Sequence, residues 1–523
     1  MLLEEGAEAV RRETAARTDP NVDRGMVEHS AVSRPPVCAT MTRMRRIAFA
    51  SLAAVAALSV AASASRLPAT QPAAASSPPP NIVLIQADDL GWGDLSVQGQ
   101  QKFRTPNIDR IASEGVRFTQ YYSGSTVCAP SRASLMTGLH TGHGRIRGNG
   151  EIPLEDADVT MAEVLAARGY RTAVVGKWGL GYEGTPGLPE HQGFAETFGY
   201  LTHQHPHRQY TDRLWKNGAW VPVSPERDFT SDLFTQAAVD FIDRSAAQPF
   251  FLYLAYPLPH AELRVPDDAM APFRGAFPET PFVNAKADAT TPVPPYRVSG
   301  GYRSQPTPRA AFAGMVTRMD DGVGRVLERL RARGIDDNTI VLFTSDNGPH
   351  KEGGADPEFF DSNGPLRGIK RDLYDGGIRV PMLVRWPGHL RAGTVHEDAW
   401  AHWDLMPTLA ALAGATTPAG VDGQSLAGWF TQAGPTADDV ARNRARTLYW
   451  EFHERGFQRA ARRGDWKAVW LAPDAPLELY DLRSDPGEAR NVAASHADVV
   501  ASFEKYFAQA RTPSERWPGT GGG

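Results

Sequence analysis

Cysteine is nearly missing from this chain: 523 residues hold only Cys38 and Cys128. Cys38 lies in a leader expected to be removed, so the exported protein keeps Cys128 alone and no intramolecular disulfide can staple it. A lone thiol in an oxidising compartment is either an inert small hydrophobe of the core or a reactive centre. A basic excess is missing too, since the formal net charge is -5, and this excludes a surface built to track a nucleic-acid backbone. Beyond the N-terminus no apolar run approaches the roughly 20 residues that a spanning helix needs, and no internal repeat is visible. What is present, 41% hydrophobic and 22% charged residues, suits a large globular core.

Arg43, Arg45 and Arg46 precede an apolar run at 47–60 and the small-x-small site Ala62-Ser63-Ala64, which makes 41–64 a secretory signal pattern. The polar residues 1–40 read as an extension ahead of a true start at Met41 or Met44. Residues 65–80 are a Pro/Ala/Ser linker. The expectation is a periplasmic or secreted protein with no stable membrane partner.

From residue 81, apolar runs alternate with helical periodicity. IVLI at 82–85 has the continuous apolar character of a buried parallel strand and runs into QADDLGWGD. Thr105-Pro106 opens a helix with Thr105 as N-cap, and Thr160 with Glu163 forms a capping box for a helix that stops at Gly169. A strand at 173–175 follows, then a helix at 232–244 leading to a strand at 250–255. A long helix through Arg325 and Leu330 leads to a strand at 339–343. This alternation predicts an α/β domain over 81–434, a mostly parallel sheet covered by helices on both faces. Past a turn-rich stretch at 431–439, short aromatic strands (TLYWEF, WKAVW, then LELYDL) and a helix through Val499, Phe503 and Phe507 predict a small antiparallel sheet plus helix over 435–511. A flexible tail at 512–523 completes the expected organisation.

Ligands of open α/β sheets bind beyond the carboxyl ends of the strands. Asp88-Asp89, Lys177, His260 and Asp346-Asn347 all follow predicted strands. Adjacent carboxylates at the end of an apolar strand repel unless a cation joins them. With Asp346 and the Asn347 amide oxygen they form an all-oxygen set suited to calcium or magnesium, against the plainer reading of Asp346-Asn347-Gly348 as a turn. Asp320-Asp321, in a polar stretch of the long helix, reads as a solvated face.

IQADDLGWGD, TPNIDRIASEGVRFTQYYSGSTVCAPSRASLMTG, GKWGLG, TSDNGPH and LRGIKRDLYDGGIRVP occur in an order that resembles the type I, formylglycine-dependent sulfatases of the alkaline phosphatase superfamily. Cys-x-Pro-Ser-Arg carries most of that specificity. The resemblance implies an alkaline-phosphatase-like fold and oxidation of Cys128 by a maturation enzyme to formylglycine. One hydroxyl of the aldehyde hydrate would attack sulfur and the other would expel sulfate. It implies calcium held by Asp88, Asp89, Asp346, Asn347 and the residue derived from Cys128. Arg132 would support the hydrate and Asp346 would serve as base. Lys177 and Lys370 would grip sulfate oxygens, and His260, titrating near neutrality, would protonate the leaving alkoxide.

Many members read Gly-Lys-Trp-His-Leu-Gly, with that histidine on the formylglycine hydroxyl; here the position is Gly179. His143, His203, His205, His207 and His350 are the candidates to replace it. Rival readings are a phosphonate monoester or phosphodiester hydrolase of the same superfamily, and a non-catalytic calcium-dependent glycan-binding protein. The stretch 199–218, rich in His, Arg, Tyr and Trp, reads as a substrate loop in which His207 and Trp215 meet the sugar of a carbohydrate sulfate.

Overall fold

The computed structural model describes residues 78–289 and 300–519. The expected extension, the signal segment and nearly all of the linker lie outside the described residues. None of the described helices is long and apolar enough to cross a membrane.

The main sheet contains β1 (Asn81–Asp88), β2 (Val116–Tyr122), β3 (Arg171–Lys177), β4 (Glu196–Tyr200), β5 (Arg213–Lys216) and β6 (Ala219–Pro222). It continues with β7 (Phe250–Pro259), β8 (Thr339–Ser345), β9 (Arg379–Arg385), β10 (Thr394–His396) and β11 (Trp400–Ala401). Their order is β10-β2-β9-β8-β1-β7-β3-β4-β5-β6, with β11 also on β2. The centre, from β8 through β1, β7 and β3 to β4, is parallel, while β9 runs antiparallel to both β8 and β2. The sheet is therefore mixed and mostly parallel, as expected.

β1 shows why the centre needs cover on both sides. Successive strand side chains alternate between faces, and here Val83 and Ile85 enter one apolar cluster while Ile82 and Leu84 enter another. The first is closed by the helices Pro106–Ser113, Thr230–Ser245 and Pro308–Ala332, the second by Cys128–Thr137, Met161–Ala167 and Leu405–Ala413. Each fully buried Leu or Ile contributes roughly 1.5–3 kcal/mol.

The second sheet is antiparallel, in the order β12 (Thr447–Phe452), β13 (Gln458–Arg463), β14 (Trp466–Trp470), β15 (Glu478–Asp481), followed by the helix Ala497–Phe507. One face packs Leu448 and Trp450 on Tyr122, Val127, Ile378 and Trp403 of the main body. The other packs Tyr449 and Leu479 on Phe503 and Phe507 of the terminal helix.

Three local expectations change. Thr105 makes no side-chain cap; the buried Asp320 carboxylate instead accepts from Ile108 N (2.7 Å) and Asn107 N (3.2 Å), capping that helix across 212 residues. Asp320 is thus no solvated acid. The capping box of Thr160 and Glu163 forms as expected. The start of the tail is not free: Thr512 N donates to Gly142 O (3.0 Å) and Trp517 Nε1 to Arg145 O (2.9 Å).

Candidate active site

Four neighbouring strands, β8-β1-β7-β3, point their carboxyl ends at one place and deliver Asp346-Asn347, Asp88-Asp89, His260 and Lys177 there. The helix Cys128–Thr137 arrives beside them, with Cys128 as its first residue, Pro130 in the opening turn and a left-handed Gly138 (φ 71°) closing it. All ten of its residues are buried. Small side chains make that tight fit possible. Its approach is fixed by His402, whose Nδ1 accepts from Gly124 N at 2.6 Å and lies 3.1 Å from Ser131 Oγ.

Asp88, Asp89, Asp346 and Asn347 are wholly buried. Lys177 Nζ donates to Asp88 Oδ2 (2.6 Å), and Lys370 Nζ to Asp89 Oδ2 (2.7 Å) and Glu352 Oε2 (3.1 Å). Arg132 donates through Nε (3.0 Å) and Nη2 (2.8 Å) to Asp346 Oδ2, and through Nη1 to Lys177 O (2.9 Å). Arg132 therefore orients Asp346 and the Lys177 backbone. Asp346 Oδ1 accepts from Asp89 N at 3.0 Å, the residue where the chain bends through a left-handed φ of 64°.

Two acceptors are left over. Asp88 Oδ1 and Asn347 Oδ1 are buried without a hydrogen bond, the first lying 3.7 Å from the Arg132 guanidinium. Such atoms are costly unless something positive meets them. Asp88, Asp346 and Cys128 also bring one ligand atom each within 4.8 Å of one another. An all-oxygen set with orphaned acceptors fits a hard cation.

Burial pushes the Cys128 thiol up, against the pull of Lys177 and Lys370, so it is a thiol rather than a ready thiolate. Burial and the neighbouring Asp88 push Asp346 up to about 6, against Arg132. For Asp89 burial is outweighed by Lys370 and His260, which hold it below the usual carboxylate range. His260 departs from its expected near-neutral titration: burial, then Lys370, holds it down at about 3. Its Nδ1 lies 2.5 Å from Ala261 O, leaving Nε2 3.4 Å from Asp89 Oδ2 and 3.6 Å from Glu352 Oε2.

His260 stands in the middle of a stack, with His207 at 4.8 Å on one side and His350 at 5.5 Å on the other. His207 thus lies against His260 at the site. Trp215 does not: it lies in β5, buried among Leu188 and Leu201 with its indole N–H on Glu190 (2.9 Å), because the supposed loop folds into strands at the sheet edge.

Of the candidates to replace the missing histidine, His203 is the one that lies beside Gly179. Trp178 N and Gly179 N donate to Tyr200 O and Leu201 O, both at 2.9 Å, so residues 200–203 run alongside Gly179. A side chain on Gly179 would begin 3.9 Å from His203 Cβ. His143 instead pairs with Asp422, and His205 is buried against Thr211. The sequence did not point to His402, Glu352, Tyr302 or Asn149. Asn149 Oδ1 accepts from Ala129 N (3.0 Å) and lies 3.6 Å from Cys128 Sγ. Only adjacency in space distinguishes these from ordinary polar residues.

Residues 80–415 match the family described as Sulfatase, and residues 369–512 match "N-sulphoglucosamine sulphohydrolase, C-terminal". Arylsulfatase A of Homo sapiens is 34% identical over 468 residues, covering 82% of this chain and 87% of that protein. N-acetylgalactosamine-6-sulfatase of Homo sapiens is 35% identical over 474 residues, covering 84% and 81%. The crystal structure of Ps i-CgsB in complex with k-i-k-neocarrahexaose superposes with a TM-score of 0.68 at 28% identity, covering 83% of this chain and 92% of that one. With these matches spanning the strand ends, the Cys128 helix and the second sheet, the chain belongs to the sulfatase family: it is a type I sulfatase of the alkaline phosphatase superfamily and a sulfuric ester hydrolase.

Proposed function

We propose that the protein is an exported hydrolase of carbohydrate sulfate esters that uses formylglycine made from Cys128 and a calcium ion. The observation that carries this reading is the pair of orphaned acceptors, Asp88 Oδ1 and Asn347 Oδ1, beside a buried thiol that opens a fully buried helix. Asp88, Asp89, Asp346 and Asn347 would hold the ion, which supplies positive charge to the ester oxygens and acidifies a hydroxyl. Formylglycine at 128, installed by a maturation enzyme, supplies a hydroxyl nucleophile and a second hydroxyl through which sulfate departs.

The chain's own residues do the rest. Lys177 and Lys370, paired with Asp88 and Asp89, are placed to turn an ammonium toward the sulfate oxygens. Arg132 keeps Asp346 in place and is too fully engaged to bind substrate itself. His260 is positioned to move a proton to the leaving oxygen. An arriving sulfate ester sets negative charge against the two lysines that depress His260, so substrate binding raises its proton affinity. His207, stacked on it, faces the sugar side. The carbohydrate assignment draws on the names of the N-acetylgalactosamine-6-sulfatase and of the neocarrahexaose complex. Export draws on the signal pattern at 41–64.

Mass spectrometry of the Cys128 peptide from protein co-expressed with a maturation enzyme is expected to show the aldehyde. Cys128→Ala is expected to abolish aryl sulfate turnover with an unchanged melting temperature. An unmodified thiol in fully active enzyme would contradict the reading.

A further inference from the structure

Away from the active site, a cavity of about 690 Å³ opens between the main sheet and the second sheet, and shares none of the residues described above as the catalytic cluster. Six guanidiniums line it: Arg117, Arg379, Arg444, Arg446, Arg462 and Arg483. They come from β2, the start of β9, the segment before β12, β13 and the loop after β15. Against them stand three carboxylates, Glu397, Asp398 and Asp465. Asp465 is engaged by Arg483 (2.9 Å), and Asp398 accepts from Trp429 Nε1 (2.9 Å). Arg446 is spent on Asp404 (2.7 Å).

Three of the six have no carboxylate at all. Arg462 is bound to Tyr122 Oη and Gln120 Oε1, both neutral. Arg117 and Arg444 make no ion pair among the described residues. A second observation comes from Trp92, on the same wall: its indole N–H is buried with no acceptor, and the Arg379 guanidinium lies 5.8 Å from its ring. The cavity thus offers two guanidiniums free of ion pairs among the described residues, Arg117 and Arg444, beside an indole ring.

We propose that this cavity is a second saccharide site, which holds a sulfated segment of a glycan while another sulfate of the chain is cleaved elsewhere on the protein. Guanidinium forks match the oxygen edges of sulfate, and the Trp92 ring supplies an apolar face on the same wall. The volume suits several sugar units rather than one small anion. The choice of a saccharide rests on the carbohydrate-sulfate reading above; the choice of an anion rests on the arginines alone.

The test measures binding of a chondroitin sulfate hexasaccharide by calorimetry to protein carrying Cys128→Ala, with and without Arg117→Glu and Arg444→Glu. The substitutions are expected to weaken binding roughly tenfold or more, the scale of losing charge-assisted hydrogen bonds, and to flatten its dependence on salt. In the Cys128-containing protein the same pair should leave kcat/KM for a small aryl sulfate unchanged. Unchanged hexasaccharide affinity would overturn the proposal. Displacement of the hexasaccharide by an equal concentration of inorganic sulfate would overturn the saccharide assignment. A milder pair, Arg117→Gln and Arg444→Gln, guards against misfolding; a lowered melting temperature in both pairs would make these arginines structural and overturn it. Hexasaccharide bound through Arg117 and Arg444 but never desulfated would sustain this site while refuting the proposed substrate.

Discussion

At the scale of single residues, we propose that His203 takes the place of the histidine missing at Gly179. Gly179 takes a left-handed φ of 79°, which favours glycine, and the neighbouring chain brings His203 to the open space beside it. Burial, followed by Lys177 and Lys370, holds His203 neutral, at about 3, so its ring can accept a hydrogen bond from a neighbouring hydroxyl. His203→Ala is expected to lower kcat on an aryl sulfate roughly tenfold or more, the worth of one hydrogen bond to a polar group. His143→Ala and His205→Ala should leave kcat unchanged, and an unaffected His203→Ala enzyme would end this assignment. The residues at strand ends were legible in the sequence because an apolar run followed by acids has few explanations. His203 was only one of five histidines, since proximity across 24 residues leaves no periodic trace. Asp94 supplies a pH-dependent counterpart. It is fully buried, accepts from Gly91 N (2.8 Å) and leaves Oδ1 unpartnered, and burial pushes it up to about 7. A carboxyl raised on folding adds stability below its unfolded value and loses it as pH climbs through the folded one. Relative to Asp94→Asn, the wild type should therefore lose stability between about pH 4 and pH 8, by an upper bound of roughly 4 kcal/mol at ~1.4 kcal/mol per unit, read as a falling melting temperature. A constant difference between the two proteins across that range would contradict it.

At the scale of elements, long apolar strands and capped helices were readable, and polar strands were not. β13 reads QRAARR, which lacks the aromatic and β-branched residues of a strand, yet it lies at the heart of the second sheet. Arg459 explains it: the guanidinium covers the rings of Trp470 (4.1 Å) and Phe507 (5.0 Å), so a charged residue does the packing of an apolar one. The helix Pro106–Ser113 is similar, because its cap sits on another helix and not in its own sequence. What ties this second sheet to the main body is equally invisible in sequence. Lys467 of β14, fully buried, lies 2.8 Å from both Asp375 Oδ1 and Glu488 Oε1, and Tyr122 of β2 donates to Asp375 Oδ2 at 2.9 Å. Removing one member leaves a buried charge uncompensated, which costs about 3–5 kcal/mol. Lys467→Ala is expected to lower stability on that scale in urea unfolding, while the double change Lys467→Met with Asp375→Asn should recover part of the loss. A loss under about 1 kcal/mol would mean that water, not the lysine, satisfies these carboxylates.

At the scale of the whole molecule, the α/β alternation was readable from the residues, but the order in which the strands pair was not. β1 sits between β8 and β7, strands that follow it by more than 160 residues, and only a sheet with crossovers brings Asp88 to Lys177, His260 and Asp346. Lys370 and Asp89, 281 residues apart, meet at 2.7 Å in the same cluster. Such a cluster is a junction as well as a site. Three carboxylates, one with an oxygen lacking a hydrogen bond, and the orphaned amide oxygen of Asn347 strain the junction of four strands, and a bound cation would relieve repulsion across all of them together. Calcium bound there at about a hundredfold over its dissociation constant would stabilise the fold by ~2.7 kcal/mol through mass action alone. Chelation is therefore expected to lower the melting temperature by several degrees in one cooperative transition, and added calcium should restore it. Asp88→Asn should abolish the calcium-dependent increment while Asp94→Asn, whose residue lies outside the cluster, keeps it. If chelated and calcium-loaded protein melt at the same temperature, the acidic cluster is held by Lys177, Lys370 and Arg132 alone, and its two unpaired oxygens would then have to be met by water.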